Sequence, residues 1–163
     1  MVMIEEHEGK IEVGAGQSFL LVASRFNDVI VKRLVEGAIA GFRDAGAGSD
    51  LVSLVWVPGA LELAQAAARA ATALAPSGIA VLGAVIRGET SHFDVVVRES
   101  AAGISWLQRT TGLPVANGVL TVDSMDQALD RAGGKAGNKG YDAAISVVKL
   151  ASLYRDLDRK DGA

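Results

Sequence analysis

The sequence predicts a three-layer α/β/α domain built on a four-stranded parallel sheet. Short apolar runs alternate with helical stretches, and the order is strand–helix repeated four times before a last helix. That order requires parallel strands joined by right-handed helical crossovers, with helices on both faces of the sheet. A length of 163 residues suffices for one such domain with a proper core and is short for two.

The four predicted strands are short runs rich in Val, Ile and Leu. Their nearly continuous apolar character is typical of strands that are covered on both faces. They span Phe19–Ala23, Leu51–Val57, Ile79–Ile86 and Val115–Val122. We expect residues 1–17 to form an arm, with room for a short strand at Lys10–Val13, ahead of a single domain over residues 18–160.

The first predicted helix, Asp28–Ala45, carries apolar residues at four-residue spacing on one face. Asn27 is a residue type expected at the N-cap, and Gly46 is a natural stop. A capping-box pattern at Ser124–Gln127 begins a short helix that reaches Arg131. The other helices are predicted at Leu61–Leu74, about Asp94–Thr111 and near Tyr141–Asp158, the last one after a Gly/Lys loop at Gly133–Gly140.

The composition excludes several classes of protein. The chain has 16 Lys and Arg against 19 Asp and Glu, a net charge of −3, so it lacks the basic excess typical of nucleic-acid binders. It has no Cys, which excludes disulfides and thiolate metal sites, and its two His make a His-rich metal site unexpected. We therefore expect neither a metal nor a nucleic acid among its partners.

The apolar fraction is high for one domain, at 50% before Gly is counted. The longest unbroken apolar run among the predicted strands, Ile79–Ile86, is far shorter than the roughly 20 residues that span a bilayer. Glu5, Glu6 and Glu8 carry the wrong charge for the start of a signal peptide. We therefore expect a cytoplasmic protein, without a membrane partner, whose surplus apolar surface meets copies of itself.

Functional residues are expected beyond the carboxyl ends of the strands, where open parallel sheets bind their ligands. The phosphate-binding loop and the G-x-S-x-G elbow are missing, and Gly14-Ala15-Gly16 precedes the first strand instead of following it, so the dinucleotide fingerprint is not met. The segments that follow the predicted strands are Ser24–Asn27, Pro58–Glu62, Arg87–His92 and the residues from Asp123 onward.

The distinctive residues of these segments each admit a functional and a structural interpretation. Thr90 and nearby N–H groups could hold a phosphate while His92 moves a proton, or both could simply begin a helix. Phe26 is either a stacking platform for a planar ring or a side chain at the edge of the core. Glu62 either recognises a hydroxyl or complements a helix dipole, and Arg131 with its neighbouring lysines is either a phosphate clamp or a solvated surface.

Five segments together resemble the lumazine synthase family, which makes 6,7-dimethyl-8-ribityllumazine in riboflavin biosynthesis. They occur in the family's order between about Ser18 and Leu157: Arg25–Asn27, Val57–Glu62, Gly83–Asp94, Gly118–Asp123 and Arg131–Gly140. The resemblance implies a flavodoxin-like fold and a transferase that condenses 5-amino-6-(D-ribitylamino)uracil with 3,4-dihydroxy-2-butanone 4-phosphate without a cofactor. It also implies a homopentamer, in some members part of a larger shell, whose active sites are shared between neighbouring subunits.

The resemblance further implies roles for individual residues, with His92 as the proton donor and acceptor. The implied pyrimidine-binding residues are Phe26, Ala60, Leu61, Glu62, Ala84, Val85, Ile86 and Asn117, and the implied phosphate-binding residues are Glu89, Thr90, Arg131 and Lys139. Asn117 departs from the family's pattern, because many members carry an aromatic residue there. A binding or storage relative without turnover is the alternative that Asn117 supports.

Overall fold

The structure is a computed structural model that describes residues 2–161, with side chains described as far as Arg159. One sheet of four parallel strands has the order β2-β1-β3-β4. Its strands are β1 (Phe19–Ser24), β2 (Val52–Val57), β3 (Gly78–Ile86) and β4 (Val115–Val122). The four-stranded parallel sheet predicted from the sequence is therefore confirmed.

Helices cover both faces of this sheet, which confirms the three-layer architecture. One face carries α1 (Asp28–Asp44), α4 (Met125–Arg131) and α5 (Lys139–Asp161), and the other carries α2 (Leu63–Leu74) and α3 (His92–Thr111). Successive residues of β1 pack into the two cores alternately, Phe19 and Leu21 toward α1 and Leu20 and Val22 toward α2. No helix within residues 2–161 is long and apolar enough to cross a membrane.

The central and edge strands differ in how far they are covered. β1 is buried throughout, and β3 is buried up to its last residue, as expected for strands with helices on both faces. The same expectation was wrong for β2, because this edge strand buries only Val57 and leaves Leu54 38% exposed. The sequence of β2 is thus as apolar as that of a central strand although its position is not central.

The amino-terminal arm lies against α1 and α5 instead of forming a strand. The N–H of Val13 donates to the carbonyl of Ala45 (2.9 Å), and the N–H of Lys10 donates to the hydroxyl of Ser152 (3.2 Å). The short strand expected in this segment was therefore wrong, since its backbone donors bond to the end of one helix and to a side chain of another.

The two helices that follow β2 and β3 begin at other residues than the sequence predicted. A 3₁₀ turn at Ala60–Glu62 precedes α2, so the α-helix begins at Leu63 instead of Leu61. The third helix begins at His92, two residues before the predicted start at Asp94. Both shifts change which residues stand at the helix amino termini, next to the carboxyl edge of the sheet.

The predicted Gly/Lys loop is in fact a hairpin of two short strands. These are β5 (Ala132–Gly134) and β6 (Gly137–Asn138), and α5 follows directly at Lys139. At the next residue, Gly140, α5 crosses α1 so closely that a side chain would collide with the carbonyl of Leu34. The hairpin and this crossing together fix where the last helix starts.

Candidate active site

An apolar cleft of about 420 Å³ opens at the carboxyl ends of β1, β2 and β3. Its walls are Phe26 after β1, residues 58–62 after β2, and Ala84–Ile86 of β3. The remaining side consists of Gly88, Thr90, His92, Phe93 and Val96. Since the chain leaves β1 toward β2 and returns to β3 on the other side, the cleft lies at the switch point where parallel sheets bind ligands.

A second cavity, of about 480 Å³, lies at the opposite edge of the sheet. It is lined by residues that precede the strands, such as Gln17, Ser77 and Pro114, and by Tyr154 and Arg155 of α5. Nine of the thirteen predicted site residues line the first cleft, and none of the thirteen lines this one. The cleft at the carboxyl ends is therefore the candidate active site.

Phe26 stands at the mouth of the cleft and is 72% exposed. Its N–H donates to the carbonyl of Pro58 (3.0 Å), and the N–H of Arg25 donates to the carbonyl of Val57 (2.8 Å). These two bonds extend the contact between β1 and β2 past the end of both strands. An exposed ring whose backbone is held in this way favours the stacking interpretation over that of a core side chain.

Asn27 precedes α1 as expected, but its side chain does not cap the helix. The residue has a left-handed backbone (φ 59°, ψ 45°), and its Nδ2 donates to the carbonyl of Ala84 on β3 at 2.8 Å. The first helical bonds come from the N–H groups of Ile30 and Val31, which donate to the carbonyl of Asn27. The predicted N-cap position is therefore confirmed, although the side chain supplies no capping bond because its amide is used across the sheet.

The turn after β2 brings one carboxylate to the cleft. Ala60 is buried, whereas Leu61 and Glu62 are exposed. The carboxylate of Glu62 lies over Gly59, since a Cβ at that glycine would be 3.0 Å from Oε2. It also stands directly before α2, where a negative charge is favoured, so both interpretations of Glu62 fit its position.

The loop after β3 brings Thr90 and His92 to the same side of the cleft. Both residues are exposed, and Oγ1 of Thr90 accepts a long hydrogen bond (3.4 Å) from the N–H of His92. His92 is the first residue of the 20-residue helix α3. An imidazole and a hydroxyl at a helix amino terminus can hold an anion and move a proton beside it.

Arg87 anchors this loop, a role that sequence reasoning did not assign. Its Nε donates to Asp123 at 2.7 Å, its Nη1 lies 3.6 Å from Asp94, and its guanidinium lies 4.3 Å from the ring centre of Phe93. The hydrogen bond with Asp123 is the main cause that raises the pKa of Arg87. The two aspartates were visible in the sequence, but only the strand order shows that both meet one arginine.

The other predicted site residues do not line the cleft. Asn117 is an exposed residue in β4, and Glu89 is exposed in the loop after β3. Arg131 ends α4, with Nη1 donating to the carbonyl of Gln127 (3.1 Å), and Lys139 begins α5. Because β4 is an edge strand beyond β3, the elements that follow it lie beside the cleft of their own chain.

The cleft therefore combines apolar walls with few polar side chains. These are the carboxylate of Glu62, the hydroxyl of Thr90 and the imidazole of His92. Within residues 2–161, no three His, Asp or Glu side chains are grouped so that they could hold a metal ion. The arrangement suits a planar ring that carries hydroxyl groups, together with a small anionic molecule.

The fold and the cleft define an α/β protein with a small-molecule site at the carboxyl edge of a parallel sheet. A family model described as 6,7-dimethyl-8-ribityllumazine synthase matches residues 16–155. The chain is 44% identical over 156 residues to the protein of that name from Chlorobium luteolum, an alignment that covers 96% of this chain and 100% of the relative.

Two further relatives with the same name give the same result. The protein from Chlorobium phaeobacteroides is 44% identical over 156 residues, covering 96% of this chain and 100% of the relative. The protein from Chlorobium chlorochromatii is 42% identical over 154 residues, covering 94% and 99%. The chain belongs to the 6,7-dimethyl-8-ribityllumazine synthase family, which confirms the resemblance found in the sequence.

Proposed function

We propose that this chain is the transferase that condenses 5-amino-6-(D-ribitylamino)uracil with 3,4-dihydroxy-2-butanone 4-phosphate to form 6,7-dimethyl-8-ribityllumazine, the penultimate step of riboflavin biosynthesis. One observation carries the proposal: Phe26, Glu62, Ala84–Ile86 and His92 line a single cleft. Phe26 and Ala84–Ile86 suit a stacked pyrimidine, Glu62 suits a polyol chain, and His92 suits a proton transfer. Family membership supports the same reaction.

The pyrimidine substrate binds between Phe26 and the end of β3. The exposed ring of Phe26 offers a face for stacking. The ladder between β1 and β3 ends at Ala23 and Leu82, whereas β3 stays paired with β4 as far as Ile86, so the peptide groups at the end of β3 that face β1 are available to the edge of the pyrimidine. The carboxylate of Glu62 accepts a hydrogen bond from a ribityl hydroxyl, and Ala60 and Leu61 border that side chain.

The phosphate substrate binds on the opposite side, near the start of α3. Thr90 and the backbone around Gly88 and Glu89 offer a hydroxyl and N–H groups to the phosphate. Arg131 and Lys139 supply positive charge from a neighbouring subunit, because neither lines the cleft of its own chain. Asn117 reaches the pyrimidine from the same neighbour.

A homopentamer provides that neighbour and accounts for apolar surface that one chain leaves open. Leu54 on β2 and Val95 and Trp106 on α3 are 38%, 39% and 47% exposed. These side chains pack between subunits in the proposed assembly. We expect the assembled enzyme to work in the cytoplasm.

The chemistry consists of condensation and proton transfer. The amine of the pyrimidine attacks the ketone, and loss of water gives an imine. Removal of the proton on the carbon next to the imine expels the phosphate and leaves an enol, which takes up a proton on its terminal carbon and becomes a ketone. The ribitylamino nitrogen then attacks this ketone, and loss of water closes the ring. Since both substrates are already reactive toward each other, holding them face to face supplies much of the acceleration. His92 moves the protons, a contribution of about 10²- to 10⁴-fold.

A two-substrate assay tests the proposal. The purified chain is mixed with both substrates, and lumazine fluorescence and released phosphate are followed against a sample without protein and samples lacking one substrate. We expect both products to appear in equal amounts at a rate well above that without protein. If the chain binds the pyrimidine and releases no phosphate above that background, it is a carrier and the proposal fails. Light scattering on the same sample tests the pentamer against larger assemblies.

A further inference from the structure

We infer that Asn27 is a positioning residue that fixes the distance between the stacking ring of Phe26 and the end of β3. The inference rests on the proposed function, because it assigns Asn27 an effect on the pyrimidine substrate. It concerns a side chain that does not itself line the cleft. Asn27 acts through the two residues that it joins, Phe26 and Ala84.

The side chain of Asn27 bonds to β3 just beyond the point where the backbone pairing between β1 and β3 stops. The last pair of that ladder is Ala23 with Leu82, and β1 ends one residue later. Ala84 lies two residues further along β3, and its carbonyl receives the Nδ2 donor of Asn27 at 2.8 Å. At the switch point, where the cleft opens, a side-chain amide therefore makes the hydrogen bond to β3 that the backbone of β1 no longer makes.

The backbone of Asn27 explains why the side chain can reach β3. Its left-handed conformation, with φ 59°, is uncommon for residues other than glycine, although asparagine tolerates it. The turn reverses the chain between β1 and α1 and starts the helix through its own carbonyl. The same turn aims the amide at Ala84.

Phe26 depends on this attachment because its ring is mostly exposed. Its own N–H holds it to Pro58 on the β2 side, and the amide of Asn27 is the link to the β3 side. Without that link the loop stays tied to β2 and α1 only. The width of the gap between Phe26 and the end of β3, which receives the pyrimidine, is then no longer fixed. The start of α3 does not change.

Two variants separate the side chain from the backbone conformation. Asn27→Gly keeps the left-handed turn at no steric cost and removes the amide. Asn27→Asp keeps the size and the tolerance for this conformation, but it places a carboxylate instead of a donor against the Ala84 carbonyl. Gln108→Ala is the matched control, because Gln108 also donates an amide to a backbone carbonyl, that of Val115 (3.0 Å), at the opposite edge of the sheet.

We expect Asn27→Gly to raise the KM and the Kd of the pyrimidine substrate about 2- to 10-fold, the loss of one hydrogen bond. Asn27→Asp should raise both values further, while kcat and the KM of the phosphate substrate stay within about twofold for each variant. Gln108→Ala should lower the Tm and leave both KM values unchanged. The Kd is measured by calorimetry with the pyrimidine alone, so it does not depend on turnover.

The outcomes are distinct. A wild-type pyrimidine Kd and KM in Asn27→Gly would overturn the inference, since Asn27 would then serve only the backbone turn. Equal increases in both KM values, or the same effect from Gln108→Ala, would overturn it as well. A wild-type chain that binds the pyrimidine without turnover refutes the proposed enzyme and leaves the inference testable through the Kd. A wild-type chain that does not bind the pyrimidine overturns both.

Discussion

The two halves of the predicted site differ in where their residues lie. The pyrimidine half, with Phe26, Glu62 and Ala84–Ile86, is assembled within one chain around a single cleft. The basic residues of the phosphate half, Arg131 and Lys139, lie outside that cleft on elements that follow the edge strand β4. The strand order explains the difference, because only β1, β2 and β3 end beneath the cleft.

This comparison indicates which part of the activity a lone chain can support. In our proposal one chain holds the ring platform, the ribityl acceptor and the imidazole, so we expect a single chain to bind the pyrimidine. Among the described residues no Lys or Arg lines the cleft, and Arg87 in the loop beside it is engaged by Asp123 and Asp94. In our proposal the neighbouring subunit supplies the cation for the phosphate.

The largest expected effect concerns the imidazole. His92→Ala should lower kcat by about 10²- to 10⁴-fold and leave the Kd of the pyrimidine nearly unchanged, because in the proposed mechanism His92 moves protons and is not part of the stacking platform. Single-turnover fluorescence measures the first value and calorimetry the second. An unchanged kcat would remove His92 from the mechanism.

Arg131→Ala should raise the KM of the phosphate substrate about 10- to 100-fold through the loss of a charge-assisted contact. The pyrimidine Kd should not move, and a change in it would mean that the two halves have been assigned the wrong way round.

Mixing His92→Ala with Arg131→Ala chains tests the division between subunits. If one chain supplies His92 and its neighbour Arg131, refolding the two variants together in equal amounts should restore about a quarter of the wild-type activity, as two independent halves require. Each variant refolded alone is the control. Mixed assemblies no more active than the two variants alone would place both residues in the same chain's site.

Phe26→Ala should raise the pyrimidine KM about 10-fold through lost ring contact and buried apolar area. Phe26→Trp, which keeps a stacking face, is the matched control and should stay close to wild type. Steady-state kinetics with the phosphate substrate in excess measure both variants. Equal losses in the two would point to a packing role for Phe26.

The smallest expected effect is a gain in affinity for the pyrimidine substrate. Asn117→Phe should lower the pyrimidine Kd about threefold, because an aromatic ring from the neighbouring subunit adds a second stacking face. Calorimetry on the assembled protein measures this Kd. A gain that persists in protein dissociated to single chains would show that Asn117 acts on the cleft of its own chain.

The sequence predicted the layers of the fold because continuous apolar strands that alternate with helices are compatible with few architectures other than a parallel sheet covered on both faces. It did not reveal that β2 is an edge strand, since Leu54 and Trp56 look as apolar as residues of β3. The difference lies in strand order, which periodicity does not encode. For the same reason the pairing of Arg87 with Asp123, 36 positions apart, became visible only in the structure.

Asn27 marks another limit of sequence reasoning. Asparagine is common at helix N-caps and is also tolerant of left-handed turns, and the sequence offers no means to choose between them. The choice depends on the carbonyl of Ala84, which is 57 positions away in the chain. The resemblance to a family identified the residues of the cleft, but it could not say which bonds hold them.

The half-covered strand β2 also affects how the protein should be handled. A strand edge offers unpaired N–H and C=O groups for pairing with another chain, and on β2 the exposed Leu54 adds apolar surface, whereas the Arg25 guanidinium lies 3.8 Å from the ring centre of Trp56. If the proposed assembly forms, dilution that separates its subunits would expose this edge to non-specific contacts. We therefore expect dilute stocks to lose a larger fraction of their activity on storage than concentrated ones.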